Sequence, residues 1–236
     1  MPIDARPDHV AAAVPSIVGA AARWVHQFGG GWVNPPATSA DAGFTVQQVS
    51  YTGGGKLELL EPHGPGSFVT RYLDRFGAGI HHVTFKVPAL APALDTLHAA
   101  GYDVVDVSMA GDTWHEAFLR PSQVGGLIVQ LAWARYSDQA WAESLGGTSL
   151  PPRPDAMTLL GPQLRHPDPE TSARLWRLLG GEVVRDGEVH TARWDGCPLD
   201  VEVVPGADAG PVGLRVVGAP ALAADGTHGP ATLTSE

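Results

Sequence analysis

A single cysteine, Cys197, stands in 236 residues, with no CxxC motif and no Cys/His companion. It cannot close an internal disulfide, and a cysteine zinc site is equally out of reach. We read it as an inert, small apolar core residue of a protein kept in a reducing compartment. Basic residues are scarce too: 15 Lys and Arg face 25 Asp and Glu, a formal charge of -10, and they are scattered along the chain. That is the wrong electrostatic footprint for nucleic acid. No stretch approaches the ~20 apolar residues needed to cross a bilayer. The start, "MPIDARPDHV", puts acids and a proline where an export signal needs an apolar core. These absences predict a cytoplasmic protein with neither nucleic acid nor membrane as partner.

What is present is an ordinary globular composition, 44% apolar with 29 glycines and 21 prolines, enough for one large or two small packed domains. Residues 218–236, "GAPALAADGTHGPATLTSE", are small, polar and turn-rich, and are expected to form a flexible tail.

Between the ends lies a repeat. "DHVAAAVP", residues 8–15, falls on "HHVTFKVP", residues 81–88, at a constant offset of 73, so His9 falls on His82. A helix-like stretch follows each, "SIVGAAARWVHQFGGG" and "ALAPALDTLHAAGY", both ending at glycine. Strand-like runs come next, "FTVQQVSY" and "KLELLEP" in the first copy, "EAFLRP" and "GGLIVQLAW" in the second. The last strands superpose with Glu58 over Gln130 at an offset of 72, each behind a glycine turn, Gly53-Gly54-Gly55 or Gly125-Gly126. Each copy reads β-α-β-β-β, one over residues 7–62 and the other over 78–134.

Residues 135–154 read as a linker running into the proline-rich joint "SLPPRPDAM", and a third, weaker copy covers 155–217. There His166-Pro167-Asp168 lies on Val14-Pro15-Ser16 at an offset of 152. Gly161 takes the place of His9 and Gly213 that of His82, so this third copy has lost its ligands.

Four polar residues thus occupy two matched pairs of repeat positions: His9, Glu58, His82 and Gln130. Two imidazoles, a carboxylate and an amide oxygen make a mixed N/O set suited to Zn, Mn, Co, Ni or Fe. A lone strand histidine is usually a satisfied core group, but independent core histidines have no reason to recur at matched positions together with an acceptor at a second matched position. Adjacent strand residues point to opposite faces, so the repeat selects His82 and leaves His81 outward or in support. Glu58, among Leu57, Leu59 and Leu60, calls for something cationic beside it.

In these segments, "DHVAAAVP", "KLELLEPHGPGSFVTRYLDRFGAGIHHVTFKV" and "HEAFLRPSQVGGLIVQL", the chain resembles the vicinal oxygen chelate superfamily of glyoxalases, bleomycin resistance proteins and dioxygenases, most of all its epimerase-like glyoxalases. The resemblance covers about residues 7–134. It implies an α+β fold of paired βαβββ modules forming a glyoxalase-like open barrel, here followed by a third, degenerate βαβββ module. It further implies one divalent metal ion held by His9, Glu58, His82 and the Gln130 position. Most relatives carry glutamate at that last position; an amide leaves the ion a stronger Lewis acid. Where the epimerases have a glutamate base on a middle strand, this chain has Gln48, which accepts no proton at neutral pH. A substitute base is expected among His115, Glu116 and Glu61. Only one of His115 and Glu116 can face the metal, and His115 is favoured because an imidazole beside a cation stays neutral and basic.

The function expected is a metal-dependent enzyme, an isomerase, epimerase or lyase, that polarises a small carbonyl or acyl substrate and moves a proton. Arg71, Arg75, Arg120 and Lys86 are candidates to meet an anionic substrate. Two alternatives stand beside it. One is Fe(II) oxygen chemistry of the ring-cleaving type on His9, His82 and Glu58. The other is a non-catalytic binding or resistance protein with a cleft lined by Trp24, Trp32, Phe85, Phe118 and Trp133. An unpaired third module leaves sheet edges open, which predicts a homodimer through residues 155–217, or else a third module packed on its own chain.

Overall fold

The computed structural model describes residues 1–147, 149–218 and 232–235. The first module runs β1 (Arg6–Ala13), α1 (Ile17–Ala21), which continues as a π-helical segment over Ala22–Gln27, then β2 (Gly31–Trp32), β3 (Ala37–Ser39), β4 (Phe44–Ser50) and β5 (Lys56–Pro62). A helix that composition alone did not announce, α2 (Phe68–Phe76), leads into the second module. That module is β6 (Gly79–Lys86), α3 (Leu90–Ala99), β7 (Val104–Ser108), β8 (Trp114–Leu119) and β9 (Ile128–Ala134). The linker contains α4 (Asp138–Ser144). The third module follows as β10 (Thr158–His166), α5 (Pro169–Leu178), β11 (Glu182–Asp186), β12 (Val189–Arg193) and β13 (Asp200–Pro205).

Local chemistry explains these elements. In α3, Leu90, Ala93, Leu94 and Leu97 are the buried residues, the i, i+3, i+4, i+7 stripe of a helix lying on a sheet. Helix starts are capped at equivalent places: the Ser16 hydroxyl accepts from the Gly19 N–H, and Asp168, 152 residues on, accepts from the Thr171 N–H. In β4 and β5, β-branched and aliphatic residues flank polar ones, and the strands pair antiparallel with Gln48 opposite Glu58.

The feature that positions the site is the pairing of each module's first strand with its last, in parallel. In the first module Ala11 lies opposite Glu58, in the second Thr84 opposite Gln130, and in the third Gln163 opposite Glu202. These registers reproduce the sequence offsets, so the repeat is structural. Nine strands form one sheet in the order β2-β4-β5-β1-β6-β9-β8-β7, with β3 on β4, open at its ends. A second sheet runs β11-β12-β13-β10 and continues through β14 (Gly210–Val217) to β15 (Thr232–Ser235). β14 and β15 also pair in parallel, Gly213 opposite Thr232. The expected tail therefore contributes a strand, which the alternation of "TLTS" suits. Residues 219–231 and 236 lie outside the described residues.

Two compact units are distinguished. One gathers Met1–His9, His82–Arg135 and Gly161–Val212, the second module with most of the third. Within it Phe85 stacks on Trp176 of α5 at 6.1 Å and meets Trp194 at 5.0 Å, while the Ile3 N–H donates to the Leu178 carbonyl at 2.7 Å. A side chain on Gly126, φ +89°, would run into the backbone of Gly210 at the head of β14. The other unit holds Val10–His81, Tyr136–Leu160 and the described residues from Gly213 onward. Its glycine turn makes the matching contact: a side chain on Gly53 or Gly55 would strike Thr158 or Leu159 at the head of β10, and the Gly54 carbonyl accepts from the Leu159 N–H at 3.1 Å. The two glycine turns read from sequence are thus bare because other strands lie against them. The second sheet has two edge strands, β15 and β11; only β11, where Val184 is exposed, lies within 155–217, the range expected to join two chains. No helix among the described residues is long and apolar enough to cross a membrane.

Candidate metal centre

His9 on β1, His82 on β6 and Glu58 on β5, separated by up to 73 residues in sequence, each offer one ligand atom within 4.8 Å of the others. The imidazole centroids of His9 and His82 are 5.9 Å apart, edge to face at 69°. Both rings are buried, and Glu58 is partly buried. Ligand atoms around a tetrahedral ion with bonds of about 2.1 Å stand about 3.4 Å apart, so the set closes on a divalent cation with small side-chain adjustments. Two imidazoles and a carboxylate make an N/O donor set that suits a borderline cation.

Neighbours orient His9, Glu58 and Gln130. The His9 Nδ1–H donates to the Asp8 carboxylate at 2.6 Å, and the Lys86 ammonium holds the other Asp8 oxygen at 2.9 Å. A carboxylate on one ring nitrogen fixes the tautomer and leaves the other nitrogen to a metal. That nitrogen, Nε2, faces the Thr84 hydroxyl at 3.0 Å, and Thr84 gives its one proton to the Gln130 amide oxygen at 2.5 Å. Uptake of an ion therefore requires Nε2 to exchange the Thr84 contact for it. The Gln48 amide donates to Glu58 Oε2 at 2.8 Å. The Gln130 amide NH2 donates to Glu116 Oε2 at 2.8 Å.

His81 turns the other way, as strand alternation requires. Its ring lies between Phe68 at 5.3 Å and Tyr72 at 5.0 Å, where burial pushes its pKa down to about 4 and the Glu58 charge pulls partly back.

From residue 8 to residue 118 the chain matches the family model described as glyoxalase/bleomycin resistance protein/dioxygenase superfamily. It is 34% identical over 130 residues to an ethylmalonyl-CoA/methylmalonyl-CoA epimerase of Cereibacter sphaeroides, covering 53% of this chain and 96% of that protein. The chain belongs to this superfamily. Solved structures show the same fold: a hypothetical protein from Bacillus halodurans C-125 at TM-score 0.52 and 21% identity, covering 56% of this chain and 96% of that one. A methylmalonyl-CoA epimerase from Mycobacterium tuberculosis matches at TM-score 0.50 and 22% identity, covering 58% of this chain and 91% of its own.

Within this superfamily fold the three candidate bases part company. On β8, Phe118 lies opposite Gln130, so Glu116, two residues earlier, shares the Gln130 face and His115 takes the reverse face. His115 packs on Trp133 with centroids 4.7 Å apart, and its Nε2–H donates to the Gly111 carbonyl at 2.7 Å. Glu61, three residues past Glu58 and so on the other face of β5, accepts from the Ile17 N–H at 2.7 Å and closes the start of α1. Of the candidate anion contacts, Arg71 is turned to the Gly66 carbonyl, Arg75 lies over the Phe76 ring, and Lys86 is engaged with Asp8. Trp24, packed on Phe28, and Phe85 are core.

Asp8 and Thr84 were the supporting residues that sequence reasoning passed over. The repeat carries a signal for Thr84: it stands two residues past His82, where the first copy has Ala11, on the same face as the ligand.

Proposed function

We propose that this protein is a divalent-metal-dependent epimerase of a small acyl-CoA with an acidic α C–H. The observation that carries the reading is the convergence of His9, His82 and Glu58 at matched repeat positions in a chain spanning nearly all of an epimerase relative. His9, Glu58 and His82 would hold the ion, with Gln130 as fourth donor once Thr84 releases its amide oxygen. A bound divalent ion would supply Lewis acidity that polarises a thioester carbonyl and acidifies the neighbouring C–H. The chain's own residues do the rest. Asp8 keeps His9 in one tautomer, Gln48 steadies the Glu58 carboxylate by donating to its Oε2, and both imidazoles are buried.

The test is direct. Protein loaded with Zn, Mn, Co or Ni is given (2R)- or (2S)-methylmalonyl-CoA, and separately ethylmalonyl-CoA, in D2O. Interconversion of epimers with solvent deuterium at the α-carbon is expected; its absence with every metal and both substrates sinks the reading. A second reading has one observation in its favour, the two-His-one-carboxylate set itself, which suits Fe(II). Oxygen uptake by the iron-loaded protein in the same incubations would favour it.

The outer partner makes its own prediction. Asp8→Asn should weaken divalent-metal affinity about 10- to 100-fold by titration calorimetry, the usual worth of a carboxylate behind a ligating imidazole. Unchanged affinity would show that Asp8 does not prepare His9.

A further inference from the structure

Resting on that proposed epimerase chemistry, we infer that Glu116 is the catalytic base for one face of the substrate's α-carbon. The position where relatives of the epimerase type carry a glutamate holds Gln48 here, an amide bound to Glu58 and unable to take a proton. A carboxylate nevertheless stands on the corresponding face of the second module. Gln48 lies opposite Glu58 across β4 and β5; in the second module the residue opposite Gln130 is Phe118, and Glu116 stands two residues before it on the same side of β8.

The carboxylate is anchored for this task. Its Oε2 accepts two N–H donors, the Trp114 indole and the Gln130 amide, each at 2.8 Å. Two donors on one oxygen steady the group, and among the described residues no hydrogen bond reaches Oε1, so it is left to accept a proton. Glu116 is only partly buried, which leaves it open to a substrate. Two side chains, Gln130 and Thr84, lie between Glu116 and His9, so base and ligand set are linked through one polar row. The other two candidate bases are committed elsewhere, His115 on the reverse face and Glu61 at the start of α1.

The step balances as a proton transfer. The α C–H bond breaks, its proton forms an O–H bond with Glu116 Oε1, and its electron pair moves into the thioester carbonyl as an enolate. Solvent water on the far side of the substrate plane delivers a proton to the opposite face, and Glu116 returns its own to solvent.

Glu116→Gln keeps an acceptor for Trp114 and Gln130 and removes the basic oxygen. With methylmalonyl-CoA in D2O, followed by proton NMR, epimerisation should fall by about 10²- to 10⁴-fold, the usual worth of a positioned base. Deuterium exchange should persist near the wild-type rate from one epimer and vanish from the other, with metal content unchanged. If Glu116 merely orients Gln130, exchange from both epimers falls together, and that result overturns the inference. So does wild-type behaviour of Glu116→Gln. Glu116→Ala, checked for folding and metal content, should show the same one-sided loss. A wild-type protein that exchanges neither epimer fails at the earlier step and removes the epimerase reading along with the base.

Discussion

Protein purified without chelator is expected to carry about one divalent ion per chain, and His82→Ala or Glu58→Gln to reduce that content to near zero after dialysis. The expectation follows from geometry: one ligand atom from each of His9, Glu58 and His82 lies within 4.8 Å of the others, so each removal takes a third of the closest donors. Outer-shell partners alone are worth about 10- to 100-fold in affinity, so loss of a direct ligand should cost at least about 100-fold. Elemental analysis, with circular dichroism to confirm folding, reads the result. Equal metal content in wild type and both variants would take these residues out of the centre.

The other large effect lies far from the chemistry. Gly161→Ala is expected to lower the melting temperature by about 6–12 °C, corresponding to about 3 kcal/mol in a chain of this size. Gly161 stands on β10 at φ +129°, a conformation that side chains rarely adopt, and a Cβ there would overlap the Asp200 carbonyl on β13. Strain and overlap both act in the folded state. Gly187→Ala, φ +59° with nothing within 4 Å of the added carbon, serves as the comparison and should cost about 1 kcal/mol. A melting temperature for Gly161→Ala no lower than that of Gly187→Ala would contradict the argument. The register Gln163 opposite Glu202, set beside Ala11 opposite Glu58, makes Gly161 the counterpart of His9. No histidine fits there, so the third module has no room for a counterpart of His9.

Much of this architecture was legible because a repeat turns weak local signals into strong joint ones. The offsets read from "DHVAAAVP" and "HHVTFKVP" reappear as parallel strand registers, and the pairing of Glu58 with Gln130 as equivalent positions survives in the hydrogen bonding. The helix α2 escaped notice because "FVTRYLDRF" has no partner in the repeat. Its meaning becomes visible only when Phe68 and Tyr72 enclose His81. The choice between His115 and Glu116 turned on which of two adjacent side chains faces Gln130. The period of two says that they differ, and only the register of β8 on β9 says which is which. Glu61 stood among the candidate bases for its place close to Glu58 in the sequence; its role at the start of α1 depends on a contact with Ile17, 44 positions away.

The parallel closure of each module also fixes an order of events during synthesis. Val10 finds its partner Leu57 only after about fifty further residues have left the ribosome, roughly 3–10 s at about 5–20 residues per second. Through that interval β1 waits with an unpaired edge on its β5 side, the kind of edge that invites wrong pairing between nascent chains. Arg6, Pro7 and Asp8 at its head blunt that edge, so the residue that steadies His9 in the finished protein also guards the strand before it has a neighbour.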